Sequence, residues 1–213
     1  DHFHAETFSI LYPKAKGLNG LEDALDALIV QVTKAVERGT NIIILSDRGV
    51  NKDLAPIPSL LACSYVNHQM NRLRKRSYFD IIIESAEPRE PHHFATLFGY
   101  GASAINPYMV NEIIRVQVRE GFITGIDETK AVHNFNKAIG NGIVKIMNKI
   151  GISTLHSYRG SQIFEIVGFN SKAANFSEAV FAFLIVAVMS SVLFISFRVS
   201  CSALLKVFAN APV

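Results

Sequence analysis

Charge is scarce in this chain. Asp, Glu, Lys and Arg make up 18% of its 213 residues, against roughly 25% in ordinary soluble domains. The deficit is uneven, and the stretch after Gly168 is almost free of charge. The net charge of +3 is too weak and too scattered for nucleic acid to be the main partner. Cysteine is scarce too. Cys63 and Cys201 lie far apart in different contexts. They imply no disulfide framework and make a reducing compartment the default. No CxxC pair or Cys/His cluster has metal-ligand spacing. His2 and His4 near the terminus do not make a closed metal site. There is no P-loop and no nucleophile elbow. Gly99-Tyr100-Gly101-Ala102 is a loose glycine turn between helix and strand, whereas a dinucleotide fingerprint lies between strand and helix. The opening residues Asp1-His2-Phe3-His4 lack the apolar region of a signal peptide. A chain that starts at Asp1 is expected to be a piece of a longer product.

What remains is apolar and periodic. Hydrophobic residues make up 49% of the chain, enough for a core. Leu21 to Arg38 reads as an amphipathic helix, with Leu21, Leu25, Leu28, Val32, Ala35 and Val36 on one face. Gly39 sits where a helix end favours a left-handed residue. Asn41 to Leu45 is a continuous apolar run ending at Ser46-Asp47-Arg48, the pattern of a buried parallel strand. The alternation continues along the chain. A helix is predicted from Ser59 to about Arg76, and a strand from Phe79 to Ile83 ending at Glu84-Ser85. A short helix follows from Pro91 to Phe98, then a strand from Ala102 to Ile105 ending at Asn106. Pro107 starts a helix to about Glu120. A long helix runs from Glu128 to Lys149, with Ile139, Ile143, Ile146, Met147 and Ile150 on its apolar side. Gly140 and Gly142 weaken its middle. The run Gly151 to Glu165 is expected to supply a fourth unit: a strand at Ile152 to Leu155, a polar turn at Ser157 to Gly160, and a helix restarting at Ser161. Four β-then-α units with short links imply an α/β fold with a parallel sheet and flanking helices. Periodicity leaves two forms open, an incomplete barrel and an open sheet.

In such sheets functional side chains gather where strands end. The expected set is Ser46, Asp47 and Arg48; Glu84, Ser85, Glu87 and Arg89; Asn106; and Ser153, Thr154 and Arg159. Carboxylates, guanidiniums and hydroxyls together suit an anionic or amide ligand. They equally suit ion pairs and turn-forming groups that cap the following helices, and that bland reading outweighs the first. His92 and His93 are adjacent on a helix, so they do not chelate one metal together. Arg72, Arg74, Lys75 and Arg76 read as a solvated helix end that complements the helix dipole.

Several of these segments together resemble the central domain of the glutamate synthase large subunit. They are Leu45-Ser46-Asp47-Arg48, Ala55 to Ala62, Glu84 to Glu90, His92-His93-Phe94-Ala95, Gly99-Tyr100-Gly101-Ala102, Asn106-Pro107-Tyr108 and Gly151 to Glu165. The resemblance covers about residues 7–168, and residues 1–170 are expected to be part of that domain. It implies a degenerate relative of a TIM barrel, and a structural link between a glutaminase domain and a flavin domain of the same polypeptide. It implies an oxidoreductase acting on CH–NH2 donors, which makes L-glutamate from glutamine-derived ammonia and 2-oxoglutarate. It implies FMN and an iron–sulfur cluster in the full-length enzyme, with none of either in this segment. It carries no catalytic, cofactor-binding or metal-ligating residue onto this chain. The other partners it implies are a small subunit or electron donor, and the location is cytoplasmic, or the plastid in a plant.

The tail departs from the family. Residues 171–213 have no evident counterpart and read as a mis-joined or frameshifted segment. Ala179 to Phe197 contains no charged residue, proline or glycine. It is expected to form a hydrophobic carboxyl-terminal helix, which at 1.5 Å per residue would nearly span a hydrocarbon core of about 30 Å. A membrane is nonetheless not expected as a partner. The alternative function is a stand-alone α/β module that binds a small anion through Arg48, Arg89 and Arg159.

Overall fold

The computed structural model of the chain describes residues 3–164. Its elements, in chain order, begin with β1 (Ala5–Ser9), β2 (Leu11–Pro13), α1 (Gly17–Glu37), β3 (Ile42–Ser46), β4 (Leu54–Pro56) and α2 (Ser59–Arg72). They continue with β5 (Asp80–Glu84), α3 (Pro91–Gly99), β6 (Ala104–Asn106), α4 (Tyr108–Arg119), α5 (Glu128–Ile150) and α6 (Leu155–Tyr158). β1, β3, β5 and β6 form a four-stranded parallel sheet in that order. β2 and β4 pair as a separate antiparallel ribbon.

Strand order along the sheet equals strand order along the chain. A doubly wound sheet reverses direction at a switch point, and this one does not. Winding always the same way is the arrangement of an incomplete (β/α) barrel. Of the two forms left open by periodicity, the topology selects the barrel-like one.

The core lies on the helix-covered face. Phe8, Ile43, Leu45, Ile81 and Ile83 are buried there, against Leu21, Leu25, Leu28, Val32 and Ala35 of α1 and Leu61, Val66 and Met70 of α2. Each of the larger side chains, Ala35 excepted, contributes about 1.5–3 kcal/mol on leaving water. On the opposite face Ile42, Ile44 and Ile82 are only half-buried, and Thr7 and Ala104 are exposed. The apolar runs of β3 and β5 therefore fit a barrel wall whose inner side is lightly covered among the described residues.

The fourth unit differs from expectation. Residues 152–154 form no strand, and Leu155–Tyr158 is a one-turn helix. Gly151 ends α5 in the left-handed region, φ 80°, and the Ile152 amide returns to the Met147 carbonyl at 3.1 Å. The Thr154 hydroxyl then accepts from the Ser157 amide and caps α6. A strand at this point needs a long partner edge, whereas a cap needs only its own next turn. The sheet gains its fourth strand from the other end of the chain instead. β1 has only Phe8 buried and exposes Ala5, Thr7 and Ser9, so it carries no apolar run. Residues 161–164 do not restart a helix. The hydrophobic carboxyl-terminal helix expected over 179–197 lies outside the described residues. Among the described residues no helix is long and apolar enough to cross a membrane.

α5 packs against α3 and α4 through Phe94, Val110, Ile114, Ala131, Phe135 and Ile139. Its two central glycines are not equivalent. A Cβ on Gly140 meets nothing within 4 Å, whereas one on Gly142 falls 2.7 Å from both Cβ and Cγ of Pro91. The proline ring has no rotamer to yield. Gly140→Ala is expected to stabilise by up to about 1 kcal/mol through helix propensity. Gly142→Ala is expected to lose more than that gain, about 1–3 kcal/mol gross, to overpacking. Urea midpoints of the two variants moving in opposite directions check this. A stabilising Gly142→Ala refutes the close helix contact.

Candidate functional site

The carboxyl edge of the sheet gathers Ser46, Asp47, Arg48, Glu84, Ser85, Glu87 and Asn106, as their strand-end positions require. Two bonded clusters result. In the first, Glu84 accepts from Ser46 Oγ at 2.7 Å, from Arg48 Nε at 2.8 Å and from Asn106 Nδ2 at 3.2 Å. In the second, Asp47 accepts from Ser85 Oγ at 2.6 Å, the Ala86 amide at 2.9 Å and Tyr108 Oη at 2.7 Å. The Arg48 guanidinium stands 4.0 Å from the centre of the Tyr108 ring and bridges the two. Beside them Glu87 accepts from both the amide and the hydroxyl of Ser59, at 2.8 and 2.5 Å, at the start of α2. A carboxylate at a helix start is favourable on dipole grounds.

Tyr108 and Ser59 escape a strand-end reading, because each opens a helix instead of closing a strand. The position of Tyr108 just past Asn106-Pro107 is the signal that places it over the same edge.

The electrostatics follow from burial and these bonds. Burial opposes ionisation of Glu84, but the Ser46 and Arg48 bonds outweigh it and hold the carboxyl below its ordinary value. Glu84 in turn raises Arg48. Burial, and then the hydrogen bond to Asp47, push Tyr108 up to about 12. Glu87 is pushed up by burial, against the pull of the Ser59 bonds, and nearby Asp47 adds to the rise.

Chemically the edge is closed. Each of its three serines donates to a carboxylate, directed by Glu84, Asp47 or Glu87. In the familiar triads an imidazole takes the serine proton, whereas the acceptors here are carboxylates. His93 is turned elsewhere: its Nδ1 accepts from the Arg89 amide at 3.1 Å, and its Nε2 lies 3.4 Å from Glu90. Burial lowers its pKa. His92 is exposed, so the pair acts as a helix-start polar pair and not as a chelate. Among the described residues no group of three or more His, Cys, Asp and Glu is placed to hold a metal ion.

Ser153, Thr154 and Arg159 do not join the edge. Ser153 is exposed and Thr154 caps α6. Arg159 binds Asp80, the first residue of β5, at 2.9 Å. It therefore lies at the amino edge, opposite Arg48, because α6 replaces the strand that would have carried the chain across the sheet. The anion site expected from Arg48, Arg89 and Arg159 is not assembled. The basic cluster after α2 is corrected only in part, since Arg72, in the last turn of the helix, and Arg74 are exposed as expected. α2 ends at Arg72, Lys75 pairs with Glu37, and Arg76 turns inward.

Residues 1–170 match the family model described as glutamate synthase central domain. The large chain of an NADPH glutamate synthase from Bacillus subtilis is 47% identical over 148 residues, covering 70% of this chain and 10% of its own length. An NADH glutamate synthase from Schizosaccharomyces pombe is 40% identical over 170 residues, covering 79% of this chain and 8% of its own. The chain thus spans about a tenth of the length of the curated relatives it matches. Among solved structures, a mutant flavocytochrome b2 aligns with a TM-score of 0.45 at 12% identity, over 70% of this chain and 38% of that one.

Proposed function

Because this chain belongs to the glutamate synthase central-domain family, we propose that it is a fragment of such an enzyme and serves there as a structural link. The enzyme would be an oxidoreductase that makes L-glutamate from 2-oxoglutarate and ammonia released from glutamine. This segment would hold a glutaminase domain and a flavin domain in fixed relation. Its partners would be those two domains, together with a small subunit or other electron donor. Its place would be the cytoplasm, or the plastid in a plant.

The carrying observation is the closed carboxyl edge. It presents the three carboxylates Asp47, Glu84 and Glu87 with Arg48 already paired, a surplus of negative charge that disfavours a flavin phosphate even with Arg89 nearby. Hydroxyls and amides there point at the protein's own carboxylates. The described residues do not fit an iron–sulfur cluster either, which needs several thiolates. Cys63 is fully buried, and burial pushes its thiol up to about 12. The domain thus holds its own loops together and leaves the chemistry to its neighbours.

The test is direct. The purified 213-residue chain, incubated with FMN and separately with glutamine, is expected to retain no flavin and release no ammonia. Stoichiometric yellow flavin on the chain after gel filtration overturns the proposal.

A further inference from the structure

A second polar site lies at the amino edge, and the linking role above does not use it. A cleft of about 790 Å³ opens there, lined among others by Asn71, Arg76, Asp80, Ser103, His156 and Arg159. Its volume is within the range of small-molecule sites, roughly 300–1,000 Å³.

Two arginines line this cleft. Arg76 donates from Nε to Asn67 Oδ1 at 2.7 Å, from Nη1 to the Phe79 carbonyl at 2.6 Å and from Nη2 to the Gly101 carbonyl at 2.8 Å. All three acceptors are neutral, and among the described residues no carboxylate forms an ion pair with it. A largely buried cation with no carboxylate in contact is costly; burial lowers the Arg76 pKa and nearby Arg159 lowers it too, while the charge of Asp80, beyond ion-pair distance, partly offsets them. A guanidinium carries five N–H donors, so two remain beyond these three bonds. Arg159 donates to Asp80 and Ser103. Its side chain is 24% exposed and that of Asp80 59%, so the carboxylate, although it also accepts from Ser103, is the more solvent-accessible and displaceable partner. The lining therefore holds two fixed cations against one carboxylate, with the His156 ring 3.3 Å from Arg159. The exposed rings of Phe3 and Tyr78 line the same cleft and suit the apolar part of an organic ligand.

We propose that this amino-edge cleft binds a small organic oxyanion, a carboxylate or a phosphate ester, between the guanidiniums of Arg159 and Arg76. The anion supplies a second counter-charge where Asp80 alone serves both cations, and it competes with Asp80 for Arg159. Planar forked donors of this kind match both carboxylate and phosphate oxygens.

Isothermal titration of the 213-residue chain with succinate, and separately with inorganic phosphate, tests this at ionic strength held constant with NaCl. Saturable binding of either probe is expected, and the stronger of the two names the source of the oxyanion. Arg159→Gln is expected to weaken that binding about tenfold or more. Asp80→Asn, which removes the competing carboxylate and leaves both cations, is expected to strengthen it about threefold or more. Absence of saturable binding to both probes overturns the proposal. So does an affinity unchanged in Asp80→Asn, a variant that keeps the test decisive even where Arg159→Gln fails to fold.

Discussion

Asp47→Ala is expected to destabilise the chain by about 3 kcal/mol, read as a lower urea midpoint at unchanged slope. Asp47 is 2% exposed and accepts three bonds, from Ser85, Ala86 and Tyr108. Removing it orphans the Ser85 hydroxyl, which is 0% exposed, and the Ala86 amide beside it. Each unpaired buried donor costs about 1–3 kcal/mol. The Tyr108 hydroxyl is less costly, because that residue is only half-buried and water replaces its partner. One term works the other way. Alanine escapes the desolvation that a buried carboxylate suffers, so the net loss stays below the sum of the three bonds. Asp47→Asn keeps one acceptor oxygen but turns an N–H2 toward existing donors, and an intermediate loss is expected. A loss under about 0.5 kcal/mol for Asp47→Ala is the level of an ordinary surface substitution. It would show that this edge does not hold β3, β5 and α4 together.

Gly101→Ala is expected to cost about 3 kcal/mol, from two separate causes. Gly101 has φ 110°, a region that a side chain enters at a cost of about 1–3 kcal/mol. A Cβ there also lies 2.6 Å from Asn67 Oδ1 and 2.7 Å from Asn67 Cγ. Asn67 is held in place by Arg76, and Arg76 is held by the Gly101 carbonyl itself. The asparagine cannot swing aside without loosening the latch that ties the end of α2 to the turn before β6. A double-mutant cycle separates the causes. In an Asn67→Ala background the steric part vanishes and only the backbone strain remains. Equal costs of Gly101→Ala in both backgrounds would exclude the clash.

Much of this was legible before any fold was known. The apolar faces of α1 and α5 and the runs of β3 and β5 are written in local periodicity. The strand-end residues Ser46, Asp47, Arg48, Glu84, Ser85, Glu87 and Asn106 follow from those runs, since a chain leaving a parallel strand must place its next residues over the edge. Gly101 reads as a turn because the helix before it and the strand after it need a break. Two helix-opening members, Ser59 and Tyr108, were less visible, because a hydroxyl at a helix start has a sufficient local role without any distant partner.

The sequence by itself determined the α/β class, the helix-covered core and the family, each a sum of local signals or of motifs in register. Only the tertiary structure decided which strand completes the sheet. β1 is half-exposed and carries no apolar run, so its identity rests on pairing with β3, a contact across more than thirty residues of chain. Tertiary structure also decided the side on which each cation acts. Arg48 and Arg159 look alike as polar residues in turns. One closes the carboxyl edge and the other faces the amino-edge cleft, because Thr154 caps a one-turn helix where a strand would have crossed the sheet. Arg76 shows the same limit. A basic residue after a helix is ordinarily solvated, and only the convergence of the Asn67, Phe79 and Gly101 oxygens turns it inward. Such convergence joins segments distant in sequence, which no local pattern encodes.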